Sequence, residues 1–377
     1  MSFCNAIVAS HQNRIGSSGL TRSPDELFCQ WAANDPEVVG APTLPPEEKP
    51  LRLRPSKLDV GRLVEFSGDG VDDILMQLYQ ELPAHPVTTA GSRAPIVAEI
   101  IGASVCLKNP RARISRSENR GKPFSAIGEL LWYLAGSDRL DFIKNYIREY
   151  EKDAVNGVLE GAYGPRLFRM RGEIDQLANV VRLLRAKPDS KRAVIQLFDA
   201  GDIALEKKEI PCTTTLQFLL REGRLSLLVT MRSNDAFKGL PHDIFCFTML
   251  QEFVARKLGV ELGAYHHFAG SLHVYEGFLP KLSAYVQEGY QKVVSMPAMP
   301  LGDPRPAIDR LLELEARLRR GEDFTASVEV SSSYWADLAR LLQVHWRPSQ
   351  RASLRTEFAD PVYRPFVDGR LQLQSRA

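Results

Sequence analysis

Cys212 follows a proline in EIPCTTTLQF, ahead of threonines that alternate with apolar residues, which places a thiol at the start of a strand. A thiol attacks only as thiolate, and nearby cations favour that form. A single cysteine on a strand is equally ordinary core filling, so its surroundings must decide. Three other stretches carry groups that chemistry on a phosphorylated substrate needs. In MRSNDAFKGLPHDIF, residues 231 to 245, Arg232 ends a strand and a Gly-Leu-Pro turn opens a helix. Arginine offers phosphate a planar fork, and a helix start adds free backbone donors. KPDSKR, residues 187 to 192, is a turn that ends in Lys191 and Arg192 at the entry to a strand. In GELLWYLAG, Glu129 stands among leucine, tryptophan and tyrosine, where desolvation raises a carboxylate's pKa towards the range useful for proton transfer. Taken singly, these residues also read as a surface ion pair, a solvated edge and a first-turn glutamate.

The elements that must position these groups follow from periodicity. VDDILMQLYQEL, PFSAIGELLWYLAG, DQLANVVRLLRAKPDS, DIFCFTMLQEFVARKLG, DPRPAIDRLLELEARLRRG and YWADLARLLQVHWR read as helices. APIVAEIIGASVCL, RAVIQLFD, HHFAGSLHVY and the two halves of TTLQFLLREGRLSLLVTMRS, divided by a Glu-Gly turn, read as strands. The order shows no regular βαβ alternation, which predicts an α+β protein. Residues 42 to 57 hold five prolines among charges and read as an extended linker. The expected organisation is an N-terminal extension and linker over 1–57, a catalytic domain over 58–285, and helical additions to it over 286–377.

With 377 residues and 44% hydrophobic content the chain can bury a full core. A formal net charge of +2 argues against a polyanion-binding protein, so no nucleic-acid partner is expected. The five cysteines are scattered, without metal-ligand spacing, so no metal is expected and a reducing compartment fits. No apolar run approaches the ~20 residues of a membrane span, and the expectation is a cytoplasmic protein without a membrane partner.

Taken together and in this order, the motifs PC, RS-x-D, GLP, H-x-Y and PDS-K-R resemble the thymidylate synthase and deoxycytidylate hydroxymethylase family, over roughly residues 90 to 280. The resemblance implies a mixed sheet with surrounding helices, one sheet face packed in a homodimer with shared active sites. It implies that Cys212 adds to C6 of a pyrimidine nucleoside monophosphate and that C5 then takes a one-carbon unit from the cosubstrate 5,10-methylenetetrahydrofolate. Glu129 resembles the family's proton-moving carboxylate, Tyr163 in AYGPRL the tyrosine near the C5 proton, and Arg232, Ser233 and Asp235 the phosphate and pyrimidine contacts. Lys191 and Arg192 resemble the pair that reaches a partner's phosphate, and Arg93 in GSRAP a further phosphate ligand. His273 and Tyr275 resemble the pair on the sugar 3′ hydroxyl. Tyr146 and Tyr150 stand where tryptophans commonly cover the folate.

The departures from the family pattern carry information. Asp243 in GLPHD replaces an asparagine. A carboxylate accepts from cytosine N4 and can share a proton with N3, so aspartate favours cytosine. Tyrosine in place of tryptophan makes a more polar folate cover, which would admit water and favour a hydroxymethyl over a methyl product. The histidine expected after the nucleophile is Thr213, and the glutamine ahead of RS is Met231. The expectation is folate-dependent hydroxymethylation of a cytidylate, CMP or dCMP. The alternatives are a thymidylate synthase converting dUMP to dTMP, a uridylate hydroxymethylase, and, from another class, a non-catalytic nucleotide-binding protein. A cysteine hydrolase would need a base for Cys212 from among His242, His266, His267 and His273.

Overall fold

The computed structural model describes residues 64–89, 94–117 and 123–375. The linker and Arg93 lie outside these residues. One eight-stranded mixed sheet organises the chain. Its strands are β1 (Glu65–Gly68), β2 (Pro86–Thr89), β3 (Ile96–Leu107), β4 (Val194–Gln196), β5 (Thr213–Arg221), β6 (Arg224–Met231), β7 (Asn234–Asp235) and β8 (Glu261–Tyr275). The order is β1-β3-β8-β6-β5-β4, with β2 beside β3 and β7 beside β8. β1 runs parallel to β3 and β6 parallel to β8, while β3–β8, β5–β6 and β4–β5 are antiparallel. The β5–β6 hairpin turns at Glu222 and Gly223, both at positive φ (50° and 70°), the geometry a two-residue turn demands.

The helices that matter here are α1 (Val71–Glu81), α2 (Pro123–Leu134), α3 (Tyr163–Phe168), α4 (Gln176–Ala186), α5 (Gly239–Leu258), α6 (Leu279–Gln287), α7 (Arg305–Arg319), α8 (Ser333–Trp346), α9 (Arg351–Glu357) and α10 (Arg364–Ser375). This mixed sheet with surrounding helices is the α+β class the sequence predicts. α2 is buried on nearly every face, as its run of apolar residues requires. It packs against α5 on one side and against α7 and α8 on another. The C-terminal helices therefore share the core of the sheet and its helices, with Leu311, Leu314, Leu338 and Leu341 in the same buried cluster as Ile127 and Leu131.

The two sheet faces differ. Along β8, Tyr265, His267 and Ala269 point into the core, while Phe268 is 40% exposed on the opposite face, and Ile101 on β3 is 64% exposed. No helix among the described residues is long and apolar enough to cross a membrane.

His267 is fully buried, and its Nδ1 is hydrogen-bonded to the Tyr265 hydroxyl at 2.8 Å. Burial holds the imidazole neutral, with its pKa lowered to about 3. The unfolded chain titrates near 6.5 and so binds the proton first, which makes stability fall as pH drops from about 6.5 towards 3. Replacing the ring removes that component: in His267→Phe, proton uptake on unfolding at pH 5, measured from the pH dependence of denaturant midpoints, should fall by about one proton. An unchanged uptake would place the proton elsewhere.

Candidate functional site

Cys212 is half-buried immediately before β5, and its neighbour across the hairpin is Arg232, just beyond β6, whose backbone N–H donates to the Cys212 carbonyl at 2.9 Å. The hairpin register thus sets the arginine beside the thiol. Nε of Arg232 donates to the Pro211 carbonyl at 2.9 Å and Nη2 to the Ile210 carbonyl at 3.1 Å, and Nη2 stands 3.7 Å from Cys212 Sγ. The guanidinium is anchored by backbone yet exposed to solvent, so it can favour thiolate and still meet an anion.

Tyr163 opens α3 from behind the thiol. Its hydroxyl oxygen accepts both the Thr213 backbone N–H, at 3.1 Å, and the Thr213 hydroxyl, at 2.9 Å. With its lone pairs occupied, the phenol keeps its own proton to donate. Burial pushes its pKa well up, and Cys212 and Asp243 push the same way. Thr213, which stands in the place of the expected histidine, has become the fixer of this tyrosine. Arg166, one turn further along α3, donates from both terminal nitrogens to Asp202, at 2.6 and 2.8 Å, and to the Leu197 and Glu160 carbonyls. That buried pair ties the short helix down.

Glu129 on α2 is 5% exposed. Tyr133, one turn on, and Tyr150 both donate to its Oε1, at 3.0 and 2.9 Å. Among the described residues no side chain bonds Oε2, which leaves that oxygen for a ligand or water. Asp243, on the first turn of α5, is half-buried, and its pKa is raised well above the ordinary carboxylate value by desolvation first and by Glu129 second, which favours the protonated form. Its Oδ2 accepts from Asn234 Nδ2 at 2.8 Å.

His273 and Tyr275 lie together at the end of β8. His273 is 4% exposed, with Nδ1 3.3 Å from Ser271 Oγ and Nε2 buried without a protein partner among the described residues. Its ring meets Tyr275 edge-on at 5.1 Å. Ser233 is half-buried between Arg232 and Asn234. Asp235 spends Oδ1 on the backbone N–H groups of Phe237 and Lys238, at 2.8 and 3.2 Å, and so shapes the turn into α5.

Several expectations meet a different arrangement. Tyr146 is not a surface aromatic. It is 9% exposed, its hydroxyl donates to Glu315 Oε1 at 3.0 Å and accepts Trp346 Nε1 at 2.9 Å, and its ring stacks on His345. Gly128 makes room for it, since a Cβ there would stand 2.2 Å from the ring. A tyrosine so enclosed by α2, α7 and α8 belongs to the core. Tyr150 keeps a place beside Glu129, through its hydroxyl. Lys191 and Arg192 stand exposed on the turn before β4. Of the four histidines a hydrolase would draw on, His242 bonds Ser125 Oγ at 2.8 Å and the Lys238 carbonyl at 3.0 Å, His267 bonds Tyr265, His273 faces Ser271, and His266 is exposed. Among the described residues no group of histidine, cysteine and carboxylate side chains could hold a metal.

A half-buried thiol flanked by an anchored guanidinium, with a tyrosine and a carboxyl group nearby, stands at the rim of a mixed sheet. Sequence comparison narrows the class. The family described as thymidylate synthase matches residues 120–315, just over half of the chain, and the chain belongs to that family. It is 33% identical over 234 residues to the deoxyuridylate hydroxymethyltransferase of Bacillus phage SP01, covering 58% of this chain and 60% of that one. It is also 33% identical over 175 residues to the deoxyuridylate hydroxymethyltransferase of Pseudomonas phage M6, covering 44% of this chain and 48% of the relative. The chain thus spans about half to three fifths of the length of these relatives.

The position of Arg232 makes a chemical prediction. In Arg232→Ala, alkylation of Cys212 by iodoacetamide at pH 7, followed by mass spectrometry of the peptide, should slow several-fold. An unaltered rate would show that the guanidinium does not support the thiolate.

Proposed function

We propose that this protein transfers a one-carbon unit from 5,10-methylenetetrahydrofolate to C5 of a pyrimidine nucleoside monophosphate and releases the hydroxymethyl product. Cys212 Sγ adds to C6 of the base, with Arg232 beside it as phosphate ligand. Tyr163 and Glu129 move the proton at C5. His273 Nε2, which has no protein partner among the described residues, bonds the sugar 3′ oxygen together with Tyr275, and Asp243 meets the base edge. The folate supplies a carbon at the formaldehyde oxidation level. Its place is beside Tyr150 and Glu129, where an aromatic face and an unclaimed carboxylate oxygen fit a ring-bearing donor.

The observation that carries the hydroxymethyl branch is the double hydroxyl contact on Glu129 Oε1. Two phenols fix the carboxylate so that Oε2 can hold and deprotonate a water, and Tyr150 brings a polar group to the face where an apolar cover would exclude it. Water then adds to the exocyclic carbon, the thiolate leaves C6, and no oxidant or reductant is consumed.

For the base, the names of the two phage relatives support deoxyuridylate as first substrate. A neutral Asp243 fits this, because a protonated carboxyl offers one donor and one acceptor, as an amide does to uracil. The second reading, a cytidylate, is supported by the same residue, since a carboxyl that shares its proton with N3 also accepts from N4. We further propose a homodimer closed over the sheet face bearing Ile101 and Phe268, with Lys191 and Arg192 reaching the partner's site, and residues 58–285 as the catalytic domain.

The test uses dUMP, dCMP, UMP and CMP tritiated at C5, each with 5,10-methylenetetrahydrofolate, with tritium release counted and products weighed. The expected result is release from dUMP with a hydroxymethyl product, no dihydrofolate absorbance, and no release by Cys212→Ala. A methyl product with dihydrofolate would overturn the hydroxymethyl branch. Release from dCMP alone would select the second reading.

A further inference from the structure

Asn234 lies in β7, whose two residues pair with Leu272 and His273 of β8. It is 3% exposed, its Nδ2 donates to Asp243 Oδ2 at 2.8 Å, and its Oδ1 is buried with no partner among the described residues. Gly239, at the first position of α5, makes the contact sterically feasible, since a Cβ there would approach Asn234 Nδ2 to 3.1 Å and Asp243 Oδ2 to 3.5 Å. An amide with one end unpaired is an expensive thing to bury. Its retention calls for a role that the donated hydrogen bond performs.

That role follows from the chemistry of a neutral carboxyl, which has one accepting and one donating oxygen. Donation by Asn234 makes Oδ2 the acceptor and assigns the proton to Oδ1. Uracil shows a donor at N3 beside an acceptor at O4, and cytosine shows the reverse. A carboxyl whose proton is free to sit on either oxygen can serve both bases, and one whose proton is fixed serves only one. Discrimination of this kind rests on leaving buried polar groups unpaired for the wrong base.

We infer that Asn234 is the positioning residue for base choice: its hydrogen bond to Oδ2 fixes the proton of Asp243 on Oδ1 and so makes the carboxyl discriminate between uracil and cytosine. The inference rests on the reading that Asp243 meets the base. It assigns to Asn234 no contact with the nucleotide, only control over the group that makes one.

The test is calorimetric titration with dUMP and dCMP, without folate, of the wild type, Asn234→Ala and Asn234→Asp, with thermal unfolding to confirm that each variant is folded. Phosphate and sugar contacts are common to both nucleotides, so the ratio of the two dissociation constants isolates the base. In Asn234→Ala the ratio should fall about tenfold towards equality. In Asn234→Asp, where an acceptor of the same shape replaces the donor, the proton moves to Oδ2 and the preference should invert. A purely structural role would weaken both nucleotides alike, so folded variants with a ratio unchanged within about twofold would overturn the inference, as would a wild type that binds both bases equally. Because folate is absent, a wild type that discriminates between the bases but makes no hydroxymethyl product removes the function proposed above and leaves this inference standing.

Discussion

Two carboxyl groups, Glu129 and Asp243, act on one another inside a volume from which water is largely excluded, and both cannot be charged there cheaply. The packing of α2 against α5 brings them into range, and the burial of those helices makes their repulsion matter. The settlement is unequal. Glu129 is furnished with two phenol donors on one oxygen. Asp243 has a single amide donor, and desolvation together with Glu129 favours its protonated form. Two residues of nearly the same chemistry are thus given different partners by their surroundings.

The same constraint explains why so much of the neighbourhood is tyrosine. A phenol donates to a carboxylate without adding a second charge, and its ring supplies the apolar bulk that keeps water away. Tyr133 and Tyr150 do both, while Tyr163 adds its ring, with centroids at 5.4 Å for the Trp132–Tyr150 contact and 5.1 Å for Tyr133–Tyr163. Arginine is kept to the solvent side, where Arg232 is held by carbonyls and spends no carboxylate. The cationic and the acidic halves of the site are thereby kept from neutralising one another through a direct ion pair.

Much of this was legible in the chain. The β5–β6 hairpin, the strand β8 and the helices α2 and α5 follow from periodicity, and the residues that gather near Cys212 sit in short motifs at their ends. What escaped was set by contacts far apart in sequence. In NYIREYEKD nothing local announces Glu315 and Trp346, which enclose Tyr146. Asn234 reads as a spacer in RS-x-D because its partner, nine residues on, lies past the turn that starts α5. The one available signal was an amide placed between residues already assigned to ligand contacts. β1, too short for periodicity to reveal, is defined only by its pairing with β3.

If Asp243 meets the base as proposed, an acid in place of an amide there changes what the rest of the site must provide. An amide's donor and acceptor are distinct atoms, so it is right or wrong by orientation alone. A carboxyl is symmetric until a proton makes its two oxygens different, and the choice of oxygen lies outside the residue itself. Burial and the nearby Glu129 favour the protonated form, but neither says where the proton sits. Only a directional neighbour can do that, and among the described residues Asn234 is the side chain that gives Asp243 a hydrogen bond. On the proposed reading, a substitution that looks like a single change in recognition depends on three residues: Glu129, which favours the protonated acid, Asp243, which meets the base, and Asn234, which orients it.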